Sequence, residues 1–304
     1  MSIDFKDRVV IVTGAGNGLG RSHALAFAER GARVVVNDFG GARDGTGGSS
    51  EAAEAVVSEI EAMSDRGGGE AMANGADVAD EGQVAAMVEA AMERWGRVDV
   101  LVNNAGILRD RSFGKMTREE WDAVVAVHLT GTATCSLAVW SHMKEAGYGR
   151  IVNTTSTSGI YGNFGQANYG AAKAGVVGLM NVLSIEGAKH DIRVNCIAPT
   201  AATRMTEDIM PPDMLEALQP EWVTPAVLYL ASTDAPRRTI MLAGGGGYAV
   251  AKLMESEGLF LGEGERTPEV LAERFAEISD MERASEMMEG NDHVAKLVRM
   301  SGRG

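Results

Sequence analysis

The sequence predicts an α/β chain built on a doubly wound parallel sheet and closed by a helical C-terminal extension. Three observations predict it. Short β-branched runs alternate with longer segments of helical periodicity. The runs are rich in Val and Ile, as strands buried on both faces tend to be. A glycine-rich turn joins the first run to the first helical segment.

Taken in order, residues 8–13 read as a strand, 19–30 as a helix and 32–38 as a second strand. Residues 49–65 and 81–94 carry apolar side chains at three- and four-residue spacing, the pattern of amphipathic helices. Residues 98–102, 150–154 and 192–197 read as further buried strands, separated by the long helical segments 118–144 and 168–190. Two stretches break the rhythm. Residues 39–48 (FGGARDGTGG) are longer than a tight βα turn needs, and 201–220 are rich in Met and Pro. From residue 251 the chain is charged and helical, with Pro268 at a plausible helix start. The expected division is a domain over 1–250 and an extension over 251–304, too short for an independent core.

Composition narrows the function. Among 304 residues 45% are hydrophobic, a globular proportion, and the formal net charge is -14. Such a surface repels phosphate backbones, so no nucleic-acid partner is expected. Cys135 and Cys196 form no CxxC, and the five histidines no close pair, so neither a disulfide framework nor a metal site is expected. The N-terminal MSIDFKDRVVIVTG lacks signal-peptide character, no stretch reads as a membrane span, and the last residues are not of the SKL type. A cytoplasmic enzyme is the expectation.

After the first strand comes Thr13-Gly14-Ala15-Gly16-Asn17-Gly18-Leu19-Gly20. A strand feeding a glycine loop that opens a helix aims backbone N–H groups and the positive helix end at a pyrophosphate. Asp38 follows at the end of the second strand, where an acid holds a ribose 2′-OH and repels a 2′-phosphate. A dinucleotide site is expected, with NAD favoured over NADP.

Tyr169 and Lys173 are four residues apart on one helix, so their side chains share a face. A free phenol has a pKa of about 10, and a nearby ammonium is expected to lower it. Ser156, at a strand end thirteen residues before Tyr169, is placed to hydrogen-bond a substrate oxygen. Alone, YxxxK is common on protein surfaces; the glycine loop and Ser156 give it meaning.

TGAGNGLG, Asn103-Asn104-Ala105-Gly106, Ser156 and Tyr169-x-x-x-Lys173 together resemble the short-chain dehydrogenase/reductase family, whose fold is Rossmann-like. The resemblance implies that the serine orients the substrate, the tyrosine exchanges the hydroxyl proton, and the lysine binds nicotinamide ribose and tunes the tyrosine. It implies that Gly14, Asn17, Gly18, Leu19, Gly20, Asn103, Ala105 and Gly106 line the cofactor. Asp77 and Val78 are then expected at the adenine, with a helix N-cap as the other reading of Asp77. Pro199 and Thr203 follow the sixth strand, Thr203 toward the nicotinamide amide or as a cap. Within the family, ILRDRSF (107–113), VHLTG (127–131), GIYGNFGQANYGAAK (159–173) and IAPTAATRMT (197–206) are similar to one subgroup. It is the (3R)-hydroxyacyl-CoA dehydrogenase unit of peroxisomal multifunctional enzyme type 2, also called 17β-hydroxysteroid dehydrogenase type 4. The implied reaction is NAD-dependent oxidation of a (3R)-3-hydroxyacyl-CoA, fatty acyl or steroid. The alternatives are a hydroxysteroid or other alcohol dehydrogenase of the same fold, or a non-catalytic NAD-binding sensor. The family also implies a homodimer or homotetramer built through the long helices.

Other residues are read locally. Many members carry Asn where this chain has His128; a lone histidine on a helix is more often a satisfied packing residue. Tyr161 has no lysine four residues on and reads as pocket wall with Phe164 and Gln166. Met205, Met210 and Met214 suit an adaptable acyl-binding lid or plain packing. Arg109 and Arg111 suit CoA phosphates or ordinary surface ion pairs.

Overall fold

The computed structural model describes residues 3–63, 69–202 and 212–302, and the chain divides into two compact units, 1–250 and 251–304. The first unit alternates strand and helix as expected. β1 (Val9–Thr13) leads to α1 (Gly18–Glu29), β2 (Arg33–Asn37) to α2 (Glu51–Glu61), and β3 (Ala71–Asn74) to α3 (Glu81–Trp95). Then come β4 (Val100–Asn103), α4 (Arg118–Val125), α5 (Gly131–Ala146), β5 (Gly149–Thr154), α6 (Thr157–Ile160) and α7 (Ala167–Glu186). β6 (Ile192–Pro199), α8 (Pro212–Ala217), α9 (Thr224–Ala231), β7 (Ile240–Gly244) and β8 (Gly247–Ala251) complete the order.

The eight strands form one sheet in the order β3-β2-β1-β4-β5-β6-β7-β8, and every neighbouring pair from β3 to β7 is parallel. Val9, Val10, Ile11 and Val12 are all fully buried. That is why the strand reads as an unbroken apolar run rather than an alternation. One face is filled by Val10, Val12, Val34 and Val36 packing with Phe27 of α1 and Val227 and Leu230 of α9. Against the sheet's other face α5 packs on β4 and β5, and α7 on β5 and β6. Parallel pairing brings the C-terminal ends of β1, β2, β4, β5 and β6 to one edge. The strand order reverses between β1 and β4 there, and open α/β sheets bind ligands at such a point.

Three strands escape sequence reading. β3 is Ala-Met-Ala-Asn and has no β-branched residue. β7 and β8 flank Gly245-Gly246, with φ of +57° and +78°, so the four-glycine run is a two-residue hairpin turn, not a loop. The long segment 118–144 is a continuous helical run broken by one π-helical turn at Ala126–Thr130. Contrary to the sequence reading, Arg118–Ala146 is long and apolar enough by composition to cross a membrane. The small Thr and Ser residues interrupting it conceal this from inspection, and here the run packs on α3 and the sheet.

In the second unit β9 (Met254–Glu255) pairs antiparallel with β10 (Ser285–Glu286), with α10 (Pro268–Glu273), α11 (Phe275–Ile278) and α12 (Gly290–Met300) around them. Among its described residues only Leu261 is a buried apolar side chain.

Candidate active site

The turn after β1 is shaped by backbone crowding. Gly14 has φ +63°, and a Cβ there would stand 2.8 Å from the Cα of Ala105, so only glycine fits. Thr13 Oγ1 accepts the N–H groups of Asn104 (3.0 Å) and Ala105 (3.1 Å). Asn104 Nδ2 returns to the carbonyls of Thr13 and Gly14. These bonds lock the β1 turn to the β4 end. Thr13 and Asn104 were not singled out from sequence, although Asn104 stands inside the NNAG run. Asn17 caps α1 without a side-chain cap bond, and Gly18, Leu19 and Gly20 begin the helix, which points its free N–H groups out of the sheet edge.

Asp38 directly follows β2, where the sequence places it. Its Oδ2 accepts the Gly16 N–H and its Oδ1 the Gly40 N–H, both at 2.7 Å. One carboxylate therefore anchors the β1 turn and the start of the 39–48 segment. Asp77 does not cap α3; Asp80 does, accepting from the Gln83 N–H, because the helix starts three residues later than that reading requires. Asp77 instead accepts from Ala79 N–H at 2.9 Å. Val78 is buried, and its side chain packs where Gly131 opens α5. Asn103 points inward, donating to Asn153 Oδ1 (2.9 Å) and Ser136 Oγ (3.2 Å), so it ties β4 to β5 and α5.

Ser156, Tyr169 and Lys173 come together beside this edge. Ser156 stands just past β5 and caps α6 by accepting the Ser158 N–H at 3.1 Å. Its hydroxyl also faces the Tyr169 phenol closely enough to favour the ionised form. Lys173 lies one turn along α7, with Nζ 5.7 Å from the Tyr169 ring centroid and donating to the Thr154 carbonyl. Thr155 Oγ1 returns a bond to the Lys173 carbonyl at 2.7 Å, so β5 and α7 hold each other at this point. Asn168, fully buried, fixes the α7 start by donating to the carbonyls of Arg109 and Glu120.

The electrostatics run opposite to the sequence expectation. Burial pushes the Tyr169 phenol above its ordinary value, Asp110 adds to that, and only the Ser156 hydroxyl opposes it. Burial also pushes Lys173 down, to about 7. Spacing reveals the ion–phenol pair but not the desolvation that outweighs it.

His128 sits on the π-helical turn, 2% exposed, its ring edge-to-face with Tyr169 at 5.0 Å. A Cβ on Gly106 would lie 2.4 Å from its Cε1, so that glycine exists to admit the imidazole. Nε2 lies 2.7 Å from the Ile107 carbonyl and 3.1 Å from the Ile107 nitrogen, contacts that belong to opposite tautomers of the ring. Nδ1 is buried without a partner among the described residues. Burial first, and then the Lys173 charge, hold the ring neutral. The expected satisfied packing histidine is thus only half satisfied, and it buttresses the tyrosine.

Around this cluster other expectations diverge. Tyr161 and Phe164 are 69% and 95% exposed and do not form a closed wall, while Gln166 accepts from the Ser158 hydroxyl and donates to Asp110. Arg109 Nε donates to the Asp44 carbonyl at 3.0 Å and Arg111 Nε to Glu120 at 2.6 Å. Both line an open cavity of about 540 Å³ together with Arg43 and Asp44. Pro199 ends β6. Thr203, Met205, Met210 and the Met214 side chain lie outside the described residues, so the nicotinamide-amide and acyl-lid readings have no structural counterpart here.

The arrangement matches known proteins. The family described as short chain dehydrogenase matches residues 8–213. The chain is 46% identical over 98% of its length to peroxisomal multifunctional enzyme A of Dictyostelium discoideum, spanning 66% of that protein. It is 49% identical over 92% of its length to peroxisomal hydratase-dehydrogenase-epimerase of Saccharomyces cerevisiae, spanning 31% of it. It thus covers less than two thirds of either relative. The crystal structure of a short chain dehydrogenase from Mycobacterium avium superposes with a TM-score of 0.76 at 44% identity, covering 90% of this chain and 95% of that one.

Proposed function

The chain belongs to the short-chain dehydrogenase family, and we propose that it oxidises a (3R)-3-hydroxyacyl-CoA to the 3-oxoacyl-CoA with NAD+ as hydride acceptor. The observation that carries this reading is the meeting of Ser156, Tyr169 and Lys173 beside the glycine turn at the sheet's switch point. The residues present fit a dinucleotide. A Cβ-free turn, the open N-terminus of α1 and the Asp38 carboxylate stand in the order that a pyrophosphate and an adenosine ribose require. When bound, the oxidised nicotinamide supplies the acceptor for the hydride of the carbinol carbon.

The chain's own residues do the rest. Ser156 donates to the substrate oxygen and holds it near the phenol. Tyr169 takes the hydroxyl proton through its phenol oxygen. Lys173, fixed by the Thr154 carbonyl, offers a donor to the nicotinamide ribose. His128 keeps the phenol ring upright. The family uses NAD or NADP. Asp38 favours NAD, since a carboxylate accepts from a ribose hydroxyl and repels a phosphate. Asp38→Ala is therefore expected to shift the NAD-to-NADP ratio of kcat/KM toward NADP by about tenfold or more, from ~1.4 kcal/mol of lost repulsion and hydrogen bonding. An unchanged ratio in steady-state assays with both cofactors removes the ribose role.

The thioester is supported by chemistry in the relatives. The yeast protein is named for a hydratase and a dehydrogenase in one chain. A hydratase adds water to a carbon–carbon double bond and creates the secondary hydroxyl that a dehydrogenase then oxidises. With a net charge of -14 the chain attracts no polyanion globally, so any recognition of the CoA phosphates is local. The test is NAD+ with (3R)- and (3S)-3-hydroxyacyl-CoA and with a free hydroxysteroid. Reduced nicotinamide is expected with the 3R thioester. Turnover of the 3S enantiomer alone, or of the steroid alone, discards the substrate.

A further inference from the structure

We propose that residues 39–48 are a second cofactor-binding element, a strap laid across the phosphate loop that must lift before a dinucleotide enters or leaves. The inference rests on the dinucleotide reading of the β1 turn and adds to it the element that covers that turn. The topology dictates the crossing. The segment leaves the end of β2 at Asp38, and its tip rests on Ile107, Leu108 and Arg109, just beyond β4. In the sheet β1 lies between β2 and β4, so the segment has to pass over the C-terminal end of β1, where the glycine turn emerges.

The strap is closed on itself and latched at its far end. Its two ends meet through Ser49 N–H donating to the Phe39 carbonyl at 3.0 Å. Its tip is a turn closed by Ala42 N–H on Thr46 O (2.7 Å) and Gly45 N–H on Ala42 O (2.9 Å). Compact surface loops with adjoining ends are frequently functional. The base is held by the same Asp38 carboxylate that accepts the Gly16 N–H, so ribose binding at Asp38 and the seating of the strap involve one group. The latch consists of Leu108 N–H donating to Arg43 O (3.1 Å), Arg109 Nε donating to Asp44 O (3.0 Å), and Gly45 lying against Ile107. Of these, the Arg109 contact is a polar one made by a side chain, which can be removed without disturbing a backbone. Its donor is a charged guanidinium, the stronger class of hydrogen bond.

Arg109→Ala therefore frees the tip while leaving the glycine turn and Asp38 intact. The experiment is NADH dissociation from the full chain, followed by stopped-flow fluorescence on displacement with excess NAD+. Dissociation is expected to be about tenfold faster in Arg109→Ala, the effect of one charged hydrogen bond. Arg118→Ala, which removes an exposed guanidinium paired with Asp122 on α4, is expected to leave it unchanged. A second readout needs no variant: tryptic cleavage after Arg43, identified by fragment mass, is expected to slow several-fold when NADH saturates the wild-type chain. Equal dissociation rates for wild type and Arg109→Ala, or cleavage indifferent to NADH, overturn the strap. If wild type binds no NADH at all, the dinucleotide reading itself fails, and the strap with it.

Discussion

Tyr169→Phe is expected to lower kcat by about 10²–10⁴-fold while NADH binding stays within about twofold of wild type. The variant keeps the ring that His128 meets edge to face and removes only the hydroxyl that faces Ser156. Packing is preserved, so the loss reports proton transfer. The pH dependence gives a second signature. Burial raises the phenol above its ordinary value, so the protonated form dominates near neutrality. Alcohol oxidation needs the deprotonated form, and its rate should rise with pH. Ketone reduction needs the protonated form and should fall. In the Phe variant the residual oxidation should lose this rise. Wild-type turnover in that variant, or an unchanged pH profile, removes Tyr169 from the chemistry.

Arg150→Ala is expected to destabilise the fold by about 3–5 kcal/mol, a loss of roughly 10 °C in the unfolding midpoint. Arg150 is fully buried on β5, the strand that delivers Ser156. Its Nε donates to Ser232 O, Nη1 to the carbonyls of Gly149 and Asp191, and Nη2 to Thr233 O and Asp191 Oδ2. The guanidinium is also 4.2 Å from the Tyr148 ring centroid. Removing it leaves a side-chain-sized cavity lined by carbonyls without donors, the most expensive kind of vacancy in a core. Urea or thermal unfolding checks this; a midpoint within about 2 °C of wild type would contradict it.

The parts legible in the sequence are those where local pattern and tertiary role agree. β1 and β2 are near-continuous apolar runs, and β5 and β6 carry Ile and Val at their centres, because the sheet is covered on both faces. The glycine turn, Asp38 and Ser156 were legible because each falls at the end of a recognisable strand, and Tyr169 with Lys173 because four residues span one helical turn. β3 was not, since Ala-Met-Ala-Asn carries no strand signature, and β7 and β8 were masked by the glycines that join them. Asp80 rather than Asp77 caps α3, a choice made by where the helix begins, which sequence fixes only loosely.

Two site features belong to the fold alone. The contact of His128 with Tyr169 joins residues 41 positions apart through a π-helical turn that no periodicity reveals. The rise of the phenol and the fall of Lys173 come from desolvation, a property of the packed surroundings rather than of a four-residue interval.

The central claim is hydride transfer from a carbinol carbon into a dinucleotide held at the β1 turn. Its most direct measurement is mass spectrometry of the nicotinamide after turnover of a (3R)-3-hydroxyacyl-CoA deuterated at C3. Deuterium in the reduced cofactor, with one label per ketone formed, is the predicted result. Label kept in the thioester or released to water would contradict it.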